Sequence, residues 1–456
     1  MRIVFVGTGY VGLVAGTCLA EVGNAVTCVD VDESRIQKLR KGEAPLYEPG
    51  LEQKIRENLE RKTLTFTTNL EEAISLARAI FITVGTAMGS DGKPELSDLF
   101  SAASRIGDLI QGEQMVVVKS TVPVGTTEKV RGIIMERLRV RNSTAEPGIA
   151  FNPEFLKEGT AIDDFVRPDR IVIGAEEQST FATMREIYRP FFLSHDRFYE
   201  MDIRSAEMTK YAANSMLATR ISFINEIANI CEAVGADVNM VRKGIGSDNR
   251  IGFKYLYPGC GFGGSCLPKD LKALELMALE NGYTPKIVQA VQEMNHSQKR
   301  ALFGKIEKRF GGDVHARTFT VWGLSFKPET DDVREASAIV LIGELLARGA
   351  KVNAYDPKAM ANAKTLFAEL GYEVTLFHDK YAALLGSDAL LLTTEWKEFR
   401  NPDFERMASL MASKLIFDGR NQYDVRRLGE MGFECHQIGV KALDAAARSP
   451  SPRGCS

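Results

Sequence analysis

The N-terminal stretch MRIVFVGTGYVG constrains the fold more than any other feature of the chain. Its β-branched and aromatic run, RIVFVG, predicts a buried strand, and the residues after it turn directly into a helical pattern. Gly7, Gly9 and Gly12 stand at this strand-to-helix turn in the spacing GxGxxG. Gly7 permits the tight turn, Gly9 lets the backbone approach a pyrophosphate, and Gly12 lets helix and strand pack closely. The stretch predicts a dinucleotide-binding unit, with a glycine turn that binds nothing as the alternative.

An acidic residue stands where such a unit needs one. Asp30 ends the second strand-like run, VTCVD, about 20 residues after the glycines. Its carboxylate is placed to accept hydrogen bonds from both ribose hydroxyls, and its charge would repel a 2′-phosphate. This favours NAD over NADP. Arg35 brings a positive charge nearby, and we expect it over the adenine or on a phosphate.

Strand-like and helical segments alternate at both ends of the chain, which predicts two doubly wound, Rossmann-like α/β domains with parallel sheets. The segment from Arg204 to Val238 lacks proline and predicts one long helix that ends near Gly235. We predict an NAD-binding domain over 1–203, a central helical domain over 204–312, a C-terminal domain over 313–441 and a disordered tail over 442–456. The glycine fingerprint occurs only at the first end, so the second fits a further nucleotide site, a lid or a dimerisation domain.

Composition excludes several classes of protein. The chain has 456 residues, 45% of them hydrophobic and 26% charged, with a formal net charge of −3. No basic field for nucleic acid stands out, and no apolar run reaches the roughly 18 to 20 residues of a membrane span. Seven scattered cysteines without CxxC pairs argue against a disulfide framework and a zinc site. We expect a soluble cytoplasmic protein, and we interpret Arg2 and the apolar run after it as mature sequence rather than a signal peptide.

A glycine-rich loop, GCGFGGSCLPKD from Gly259 to Asp270, carries two cysteines. Glycines at this density mean a sharply bent backbone or the close approach of another molecule. A thiol there either fills a turn or reacts with what the loop surrounds.

Two pairs of polar residues are spaced four apart. Lys210 and Asn214 share a face of the long helix, and the small apolar neighbours YAANSMLA favour burial over a solvated stripe. Glu154 and Glu158 follow a strand end, where capping of a helix start is the alternative to a site. Thr121 ends the strand-like run VVVKST, where parallel strands deliver side chains to a cofactor.

Taken together, the segments GFGGSCLPKD, NPEFLKEGTAI, EMTKYAANSMLATRISFINE, APLYEPGLE and GLSFKPETDDVRE resemble the UDP-glucose/GDP-mannose dehydrogenase family. The resemblance runs from Arg2 to about Val440 and implies oxidation of a sugar nucleotide at C6, from alcohol to carboxylate, with two NAD+. The lead-in YPGCGFGG favours the UDP-glucose branch, whereas GGSCLPKD also occurs in the GDP-mannose branch. A two-electron dehydrogenase of hydroxyacids or phosphogluconate, and a nucleotide sensor without catalysis, are the other hypotheses.

The resemblance also implies roles for single residues. Cys266 is the nucleophile that forms a thiohemiacetal and then a thioester, and Cys260 is a loop filler. Lys210 and Asn214 stabilise oxyanions, and Asp270 with a bound water takes part in removing the proton of the C6 hydroxyl. Glu154 is the base for thioester hydrolysis, and Thr121 positions water or cofactor.

The contacts that the resemblance implies fall into two sets, and it implies no metal. The cofactor set is Gly7, Gly9, Tyr10, Val11, Gly12, Asp30, Arg35, Thr86, Ser120, Thr121, Glu158, Cys266 and Arg334. The UDP-glucose set is Glu154, Phe155, Leu156, Lys157, Glu158, Lys210, Asn214, Arg250, Tyr257, Gly259, Phe262, Gly263, Phe326, Lys327 and Arg420. Arg250 matches a residue that reaches a neighbouring subunit's substrate, which implies a homodimer or a higher homo-oligomer. Gly85-Thr86-Ala87 replaces the family's usual Asn-Thr-Pro, and we expect altered stiffness of that loop rather than lost activity.

Overall fold

The structure is a computed structural model that describes residues 1–89, 92–192 and 197–441. It divides into two compact units. The first is Met1–Ser215 with Lys269–Pro285, and the second is Met216–Pro268 with the chain from Lys286 onward. This division cuts through the predicted central domain, so the three-part division at 203 and 312 stays a prediction. The predicted tail, 442–456, lies outside the described residues.

The first unit is built on an eight-stranded sheet in the order β3-β2-β1-β4-β5-β6-β7-β8. Its strands are β1 (Arg2–Val6), β2 (Ala25–Val29), β3 (Leu64–Thr67), β4 (Ala79–Ile82), β5 (Met115–Val118), β6 (Gly148–Phe151), β7 (Ile171–Ala175) and β8 (Phe198–Met201). Neighbours pair in parallel except β6 and β7, which are antiparallel. The prediction of a wholly parallel sheet is therefore wrong at this one pair of strands.

The helices of this unit alternate with its strands in the sequence. They are α1 (Tyr10–Glu21), α2 (Glu33–Arg40), α3 (Leu51–Glu60), α4 (Leu70–Ile74), α5 (Ser97–Leu109), α6 (Thr126–Val140), α7 (Ala161–Val166) and α8 (Gln178–Tyr188). The apolar residues of β1, β4, β5 and β7 are buried, and Phe5 stacks on Phe81 with ring centroids 4.9 Å apart. The predicted Rossmann-like fold is confirmed here.

The helices that follow include the longest of the described residues, α9 (Ile203–Val234), as the sequence predicts. Gly235 follows it at φ +80°, which suits a residue without a side chain. After it come α10 (Val238–Gly246), α11 (Leu267–Glu280) and α12 (Lys286–Arg309). Cys266 directly precedes α11.

The second unit holds a six-stranded parallel sheet in the order β11-β10-β9-β12-β13-β14. Its strands are β9 (Thr318–Trp322), β10 (Lys351–Tyr355), β11 (Val374–Leu376), β12 (Ala389–Leu392), β13 (Leu415–Asp418) and β14 (Glu434–Gln437), with helices α13 (Ser337–Leu346), α14 (Met360–Leu370), α15 (Phe404–Leu410) and α16 (Val425–Glu430). The order repeats that of β1 to β6 in the first sheet. The two α/β ends therefore share one topology, as the sequence predicts.

Candidate active site

The glycine turn after β1 has the geometry that a pyrophosphate needs. Gly7 has φ +104°, and a Cβ on Gly12 would lie 2.1 Å from the Gly7 carbonyl oxygen, so neither position accepts a side chain without movement. Helix α1 begins at Tyr10 with Gly9 as its N-cap, and no side chain caps it. A Cβ on Gly9 would meet nothing within 4 Å. The first N–H groups of α1 are thus left for an anion, which fits a dinucleotide.

Asp30 follows β2 and is largely buried. Its Oδ2 accepts hydrogen bonds from the Thr8 N–H at 2.8 Å and the Thr8 hydroxyl at 2.6 Å, and it lies 3.1 Å from Arg35 Nη1. Burial raises the pKa of the Asp30 carboxyl, but hydrogen bonds from Thr8 and Asp32 and the charge of Arg35 outweigh burial and bring the pKa below its usual range. Arg35 pairs with Asp30 here, so its contact with adenine or phosphate stays a prediction.

The Tyr10 hydroxyl donates a hydrogen bond to the buried carboxylate of Glu48. The same carboxylate accepts from the Gly159 N–H at 2.6 Å and from the Ala161 N–H at 2.8 Å. Burial and the Glu48 charge raise the pKa of Tyr10. Glu48 therefore links the first turn of α1 to the turn after Glu158, and no spacing pattern in the segment APLYEPGLE indicates this link.

Three predicted residues lie together beyond the ends of β4 and β5. The Ser120 hydroxyl donates to the Val84 carbonyl at 2.6 Å, and the Thr86 hydroxyl donates to the Thr121 carbonyl at 2.9 Å. Strand β5 ends at Val118, so Thr121 lies three residues past the strand rather than at its end. This is the edge of the sheet where ligands bind in open α/β folds.

Glu154 and Lys210 form a buried ion pair. Lys210 Nζ lies 2.6 Å from Glu154 Oε1 and donates to the Glu154 carbonyl at 2.7 Å, while Oε2 accepts from the Leu156 N–H at 2.7 Å. Burial would raise the pKa of Glu154, but the charge and hydrogen bond of Lys210 and the Leu156 N–H bring it below its usual range. No helix starts at Glu154, so the capping alternative is wrong.

Asn214 is buried on the same helix and binds a second carboxylate. Its Nδ2 donates to Asp270 Oδ2 at 2.6 Å, and Lys269 Nζ lies 2.7 Å from Asp270 Oδ1. Asp270 is 1% exposed in the first turn of α11. Since Lys210 and Asn214 are both buried, the alternative of a solvated stripe is wrong.

The glycine loop of the second unit is held by buried carboxamides. Asn225 Oδ1 accepts from the Gly259 N–H at 2.8 Å, and Gln298 Nε2 donates to the Gly259 carbonyl at 2.7 Å. Asn295 bonds both the N–H and the carbonyl of Phe262, at 2.8 and 3.0 Å. Cys260 is buried, whereas Cys266 is exposed, with Sγ 3.6 Å from the Ser265 hydroxyl oxygen. The two thiols thus differ in exposure: a buried thiol suits the predicted loop filler, Cys260, and an exposed thiol suits the predicted nucleophile, Cys266.

Arg420 lies along the same loop. Its Nε donates to the Thr393 carbonyl at 2.7 Å and Nη1 to the Gly261 carbonyl at 3.3 Å. The Phe326 ring leaves no room for a side chain on Gly264, where a Cβ would lie 2.8 Å from ring atoms. The Gly264 N–H donates to the Arg334 carbonyl at 2.9 Å. Phe326, Arg334 and Arg420 are therefore gathered around the glycine loop.

Other predicted residues of the second unit have local partners. Lys327 Nζ is 5.3 Å from the centroid of the Phe326 ring, and a Cβ on Gly263 would lie 2.3 Å from the Glu335 carbonyl oxygen. Arg250 is exposed and paired with Asp248. Tyr257 is exposed, with Arg242 3.8 Å above its ring.

The remaining predicted contacts of the first unit surround the Glu154 pair. Phe155 and Leu156 are half-buried, and the Phe155 ring has Arg170 3.8 Å from its centroid. Lys157 is exposed and pairs with Asp164 at 2.6 Å. Of the six residues with predicted catalytic roles, five belong to the first unit and Cys266 to the second.

Comparison with known proteins gives three matches in chain order. Residues 1–192 match the NAD binding domain of the UDP-glucose/GDP-mannose dehydrogenase family, 204–297 its central domain and 320–425 its UDP binding domain. The chain belongs to the UDP-glucose/GDP-mannose dehydrogenase family. The family resemblance read from the sequence is therefore confirmed.

Individual members of the family match over nearly the whole chain. A UDP-glucose 6-dehydrogenase of Pseudomonas aeruginosa is 47% identical, with 96% of this chain and 97% of that protein covered. The UDP-glucose 6-dehydrogenase YwqF of Bacillus subtilis is 44% identical, with 97% and 98% covered. Among solved structures, a UDP-glucose dehydrogenase from Pyrobaculum islandicum is similar with a TM-score of 0.87 and 35% identity, covering 96% of this chain and 98% of that one.

Residues 1–89, 92–192 and 197–441 hold no group of three His, Cys, Asp or Glu side chains that could bind a metal ion. The same residues include no helix that is long and apolar enough to cross a membrane.

Proposed function

We propose that this family member oxidises UDP-glucose at C6 to UDP-glucuronate, with the reduction of two NAD+. The observation that carries the proposal is the 47% identity to a UDP-glucose 6-dehydrogenase over 96% of the chain. The buried pairs Lys210–Glu154 and Asn214–Asp270 support it. Burial of a charged side chain is costly unless the charge is paired, and buried ionisable groups cluster at functional sites.

In the proposed chemistry, Asp270, with a bound water, takes the proton of the C6 hydroxyl. NAD+ supplies the acceptor for a hydride from C6 at each of the two oxidations. The Cys266 thiolate adds to the aldehyde carbon, so the second hydride loss leaves a thioester. Lys210 and Asn214 donate to the oxygen as it gains negative charge. Water then attacks the acyl carbon, Glu154 accepts its proton, and the Cys266 thiolate leaves.

The binding residues divide in the same way. The glycine turn, Asp30 and the loop with Thr86, Ser120 and Thr121 would hold NAD+. The glycine loop with Phe326, Lys327 and Arg420 would hold the UDP portion, where Arg420 and Lys327 offer cations to the diphosphate. These assignments follow the family resemblance and the local contacts of each residue.

The test is the amount of NADH formed per limiting UDP-glucose, with limiting GDP-mannose run in parallel. We expect two NADH per UDP-glucose and little from GDP-mannose. Replacing Cys266 with Ser should stop the four-electron reaction, while the matched control Cys260→Ser, at a buried cysteine of the same loop, should keep the ratio of two. A Cys266→Ser enzyme with full turnover would point to a two-electron dehydrogenase, and a preference for GDP-mannose would move the protein to the other branch.

We also propose that the protein is a homodimer or a higher homo-oligomer. Met216, Phe223 and Ile230 stand seven residues apart on α9 and are all exposed, which gives the helix an apolar stripe that a second copy could cover. Light scattering should give at least twice the chain mass, and Phe223→Asp should lower it to that of one chain. A monomeric wild type would overturn this proposal.

We place the protein in the cytoplasm. The six described cysteines are free thiols, which suits a reducing compartment. Cell fractionation with an activity assay is the measurement, and recovery in a secreted fraction would contradict the assignment.

A further inference from the structure

One buried lysine has no task in the chemistry proposed above. Lys119 follows β5 and is 4% exposed. Its Nζ lies 2.9 Å from Asn152 Oδ1 and 3.4 Å from the Tyr188 hydroxyl oxygen, and that hydroxyl donates to the same Asn152 Oδ1 at 2.6 Å. Both hydrogen-bond partners of the ammonium are neutral groups. A buried cation held in this way is costly unless a charge nearby compensates it.

The nearby charge is that of Glu154. Strands β5 and β6 pair in parallel with Val118 opposite Phe151, and the Asn152 N–H donates to the Val118 carbonyl at 2.9 Å. Lys119 and Asn152 are therefore neighbours at the carboxyl edge of the sheet, and Glu154 is two residues beyond Asn152. The Glu154 carboxylate in turn holds Lys210 at 2.6 Å. Lys210 therefore contacts the Glu154 carboxylate directly, whereas Lys119 contacts Asn152 and acts on that carboxylate as a nearby charge.

The cluster contains four titratable groups, each from a different part of the fold. Lys119 directly follows β5, Glu154 lies three residues past β6, Tyr188 belongs to α8 and Lys210 to α9. Burial, with help from the Lys210 charge, lowers the pKa of Lys119 to about 8 against the opposing effect of Glu154. The positive charge of Lys119 in turn adds to that of Lys210 in lowering the pKa of Glu154.

We propose that Lys119 is a positioning residue that acts through Glu154, keeping its carboxylate ionised while Lys210 is engaged with the substrate oxyanion. The consequence for catalysis rests on the proposed function. Thioester hydrolysis needs an acceptor for a proton: the water oxygen bonds to the acyl carbon, its proton passes to Glu154, and the carbon–sulfur bond breaks to return the Cys266 thiolate. A protonated Glu154 cannot take that proton, and Lys210 alone would have to serve both the oxyanion and Glu154.

The first experiment compares pH profiles of kcat for the wild type, Lys119→Met and Lys119→Arg. Removal of the buried charge should raise the pKa of Glu154 and move the acid limb of kcat upward by about one pH unit, with KM values changed less than about twofold. The arginine variant should restore the wild-type limb. Tyr188→Phe is the matched control, because it removes the other donor to Asn152 but leaves the lysine charge. A Lys119→Met profile that superimposes on the wild-type profile overturns the proposal.

A second variant covers the case in which Lys119→Met does not fold. Asn152→Asp keeps the lysine and places a carboxylate where Nζ now contacts an amide oxygen at 2.9 Å. The new pair would cancel the charge that Glu154 senses, so the acid limb should move upward as well. An unchanged limb in Asn152→Asp contradicts the proposal.

A third measurement separates this proposal from the proposed function. A lysine that loses its proton near pH 8 when folded, but near 10.5 when unfolded, makes the unfolded chain bind more protons between those values, so stability rises with pH there. The Tm of the unliganded wild type should rise across this window relative to Lys119→Met. Absence of UDP-glucose turnover in the wild type would overturn the proposed function alone. Equal profiles of Tm against pH for the wild type and Lys119→Met would overturn the proposal that Lys119 carries a buried charge.

Discussion

The two sheets of this protein begin with the same turn and use it differently. Gly7 after β1 and Gly323 after β9 have φ values of +104° and +97°. Each donates its N–H to the last residue of the neighbouring strand, Val29 at 2.8 Å and Tyr355 at 2.9 Å. In the first unit α1 starts three residues after Gly7, whereas in the second α13 starts only at Ser337. The second turn therefore does not deliver a helix N-terminus to the strand end.

The aspartates that follow β2 and β10, Asp30 and Asp356, also differ between the two units. Asp30 accepts from Thr8, Asp32 and Arg35 and is 9% exposed. Asp356 is 1% exposed, and its two oxygens accept from Leu324, Ser325, Trp396, Lys358 and Ala359 at 2.7 to 3.1 Å. Asp30 keeps some exposed surface, which the proposed contact with a ribose needs, while Asp356 is saturated by its own loops. One topology thus supports a carboxylate that we propose for the ribose in one unit and a structural carboxylate in the other.

The largest effects on stability should come from replacing the two glycines, Gly7 and Gly323, that give both turns their positive φ. A Cβ on Gly7 would lie 2.8 Å from the Thr83 carbonyl oxygen, and one on Gly323 would lie 2.4 Å from Thr394 Cβ. Gly7→Ala and Gly323→Ala should each cost about 3 kcal/mol, from the positive φ and the overlap together. Gly23→Ala is the control, since Gly23 has φ +93° but nothing within 4 Å, and it should cost only about 1 kcal/mol. The measurement is denaturant unfolding, and equal costs for all three would show that the overlap has no effect.

Replacing Asp356 with Asn should be the next largest change. The amide loses the charge that five residues bind, and its NH2 group would face N–H donors. We expect a loss of about 2 kcal/mol of stability with no change in KM for NAD+. A raised KM for NAD+ without a loss of stability would show that Asp356 has the same cofactor-binding role as the one proposed for Asp30.

Much of this contrast could be predicted from the sequence. The GxGxxG turn, Asp30 and the alternation of strands and helices are local patterns, so both sheets and the long helix can be predicted from them. The signals for β7, β8 and β14 are weaker: IVIGA has no strong alternation of apolar and polar residues, and the other two strands are short and partly polar. Lys119, Glu48 and Asn295 were missed because their roles depend on partners that are 33 residues or more away along the chain. Such residues leave no spacing signal, although a lysine inside an apolar run such as VVVKST is a usable hint.

Replacing Asp30 with Asn should affect binding rather than stability. The amide still accepts from the Thr8 N–H, now 2.8 Å from Oδ2, but a neutral group is a weaker acceptor for ribose hydroxyls. We expect KM for NAD+ to rise about tenfold, which corresponds to about 1.4 kcal/mol, and the preference for NAD+ over NADP+ to fall. Steady-state kinetics with both cofactors measure this, with Asp356→Asn as the comparison. A Tm loss as large as that of Asp356→Asn would contradict the difference between the units.

The smallest effect should be at Gly9, where the first turn is open. A Cβ there would meet nothing within 4 Å, and Gly9 has φ −68°, which any residue can adopt. Gly9→Ala should therefore leave Tm within about 1 °C of the wild-type value, because neither strain nor overlap arises. The added methyl group would stand over the N-terminus of α1, where a pyrophosphate has to approach the backbone. KM for NAD+ should then rise about three- to tenfold, which is about 0.7 to 1.4 kcal/mol, while KM for UDP-glucose stays the same. An unchanged KM for NAD+ would mean that the dinucleotide does not bind against this turn, and the contrast with the Gly323 turn would lose its functional meaning.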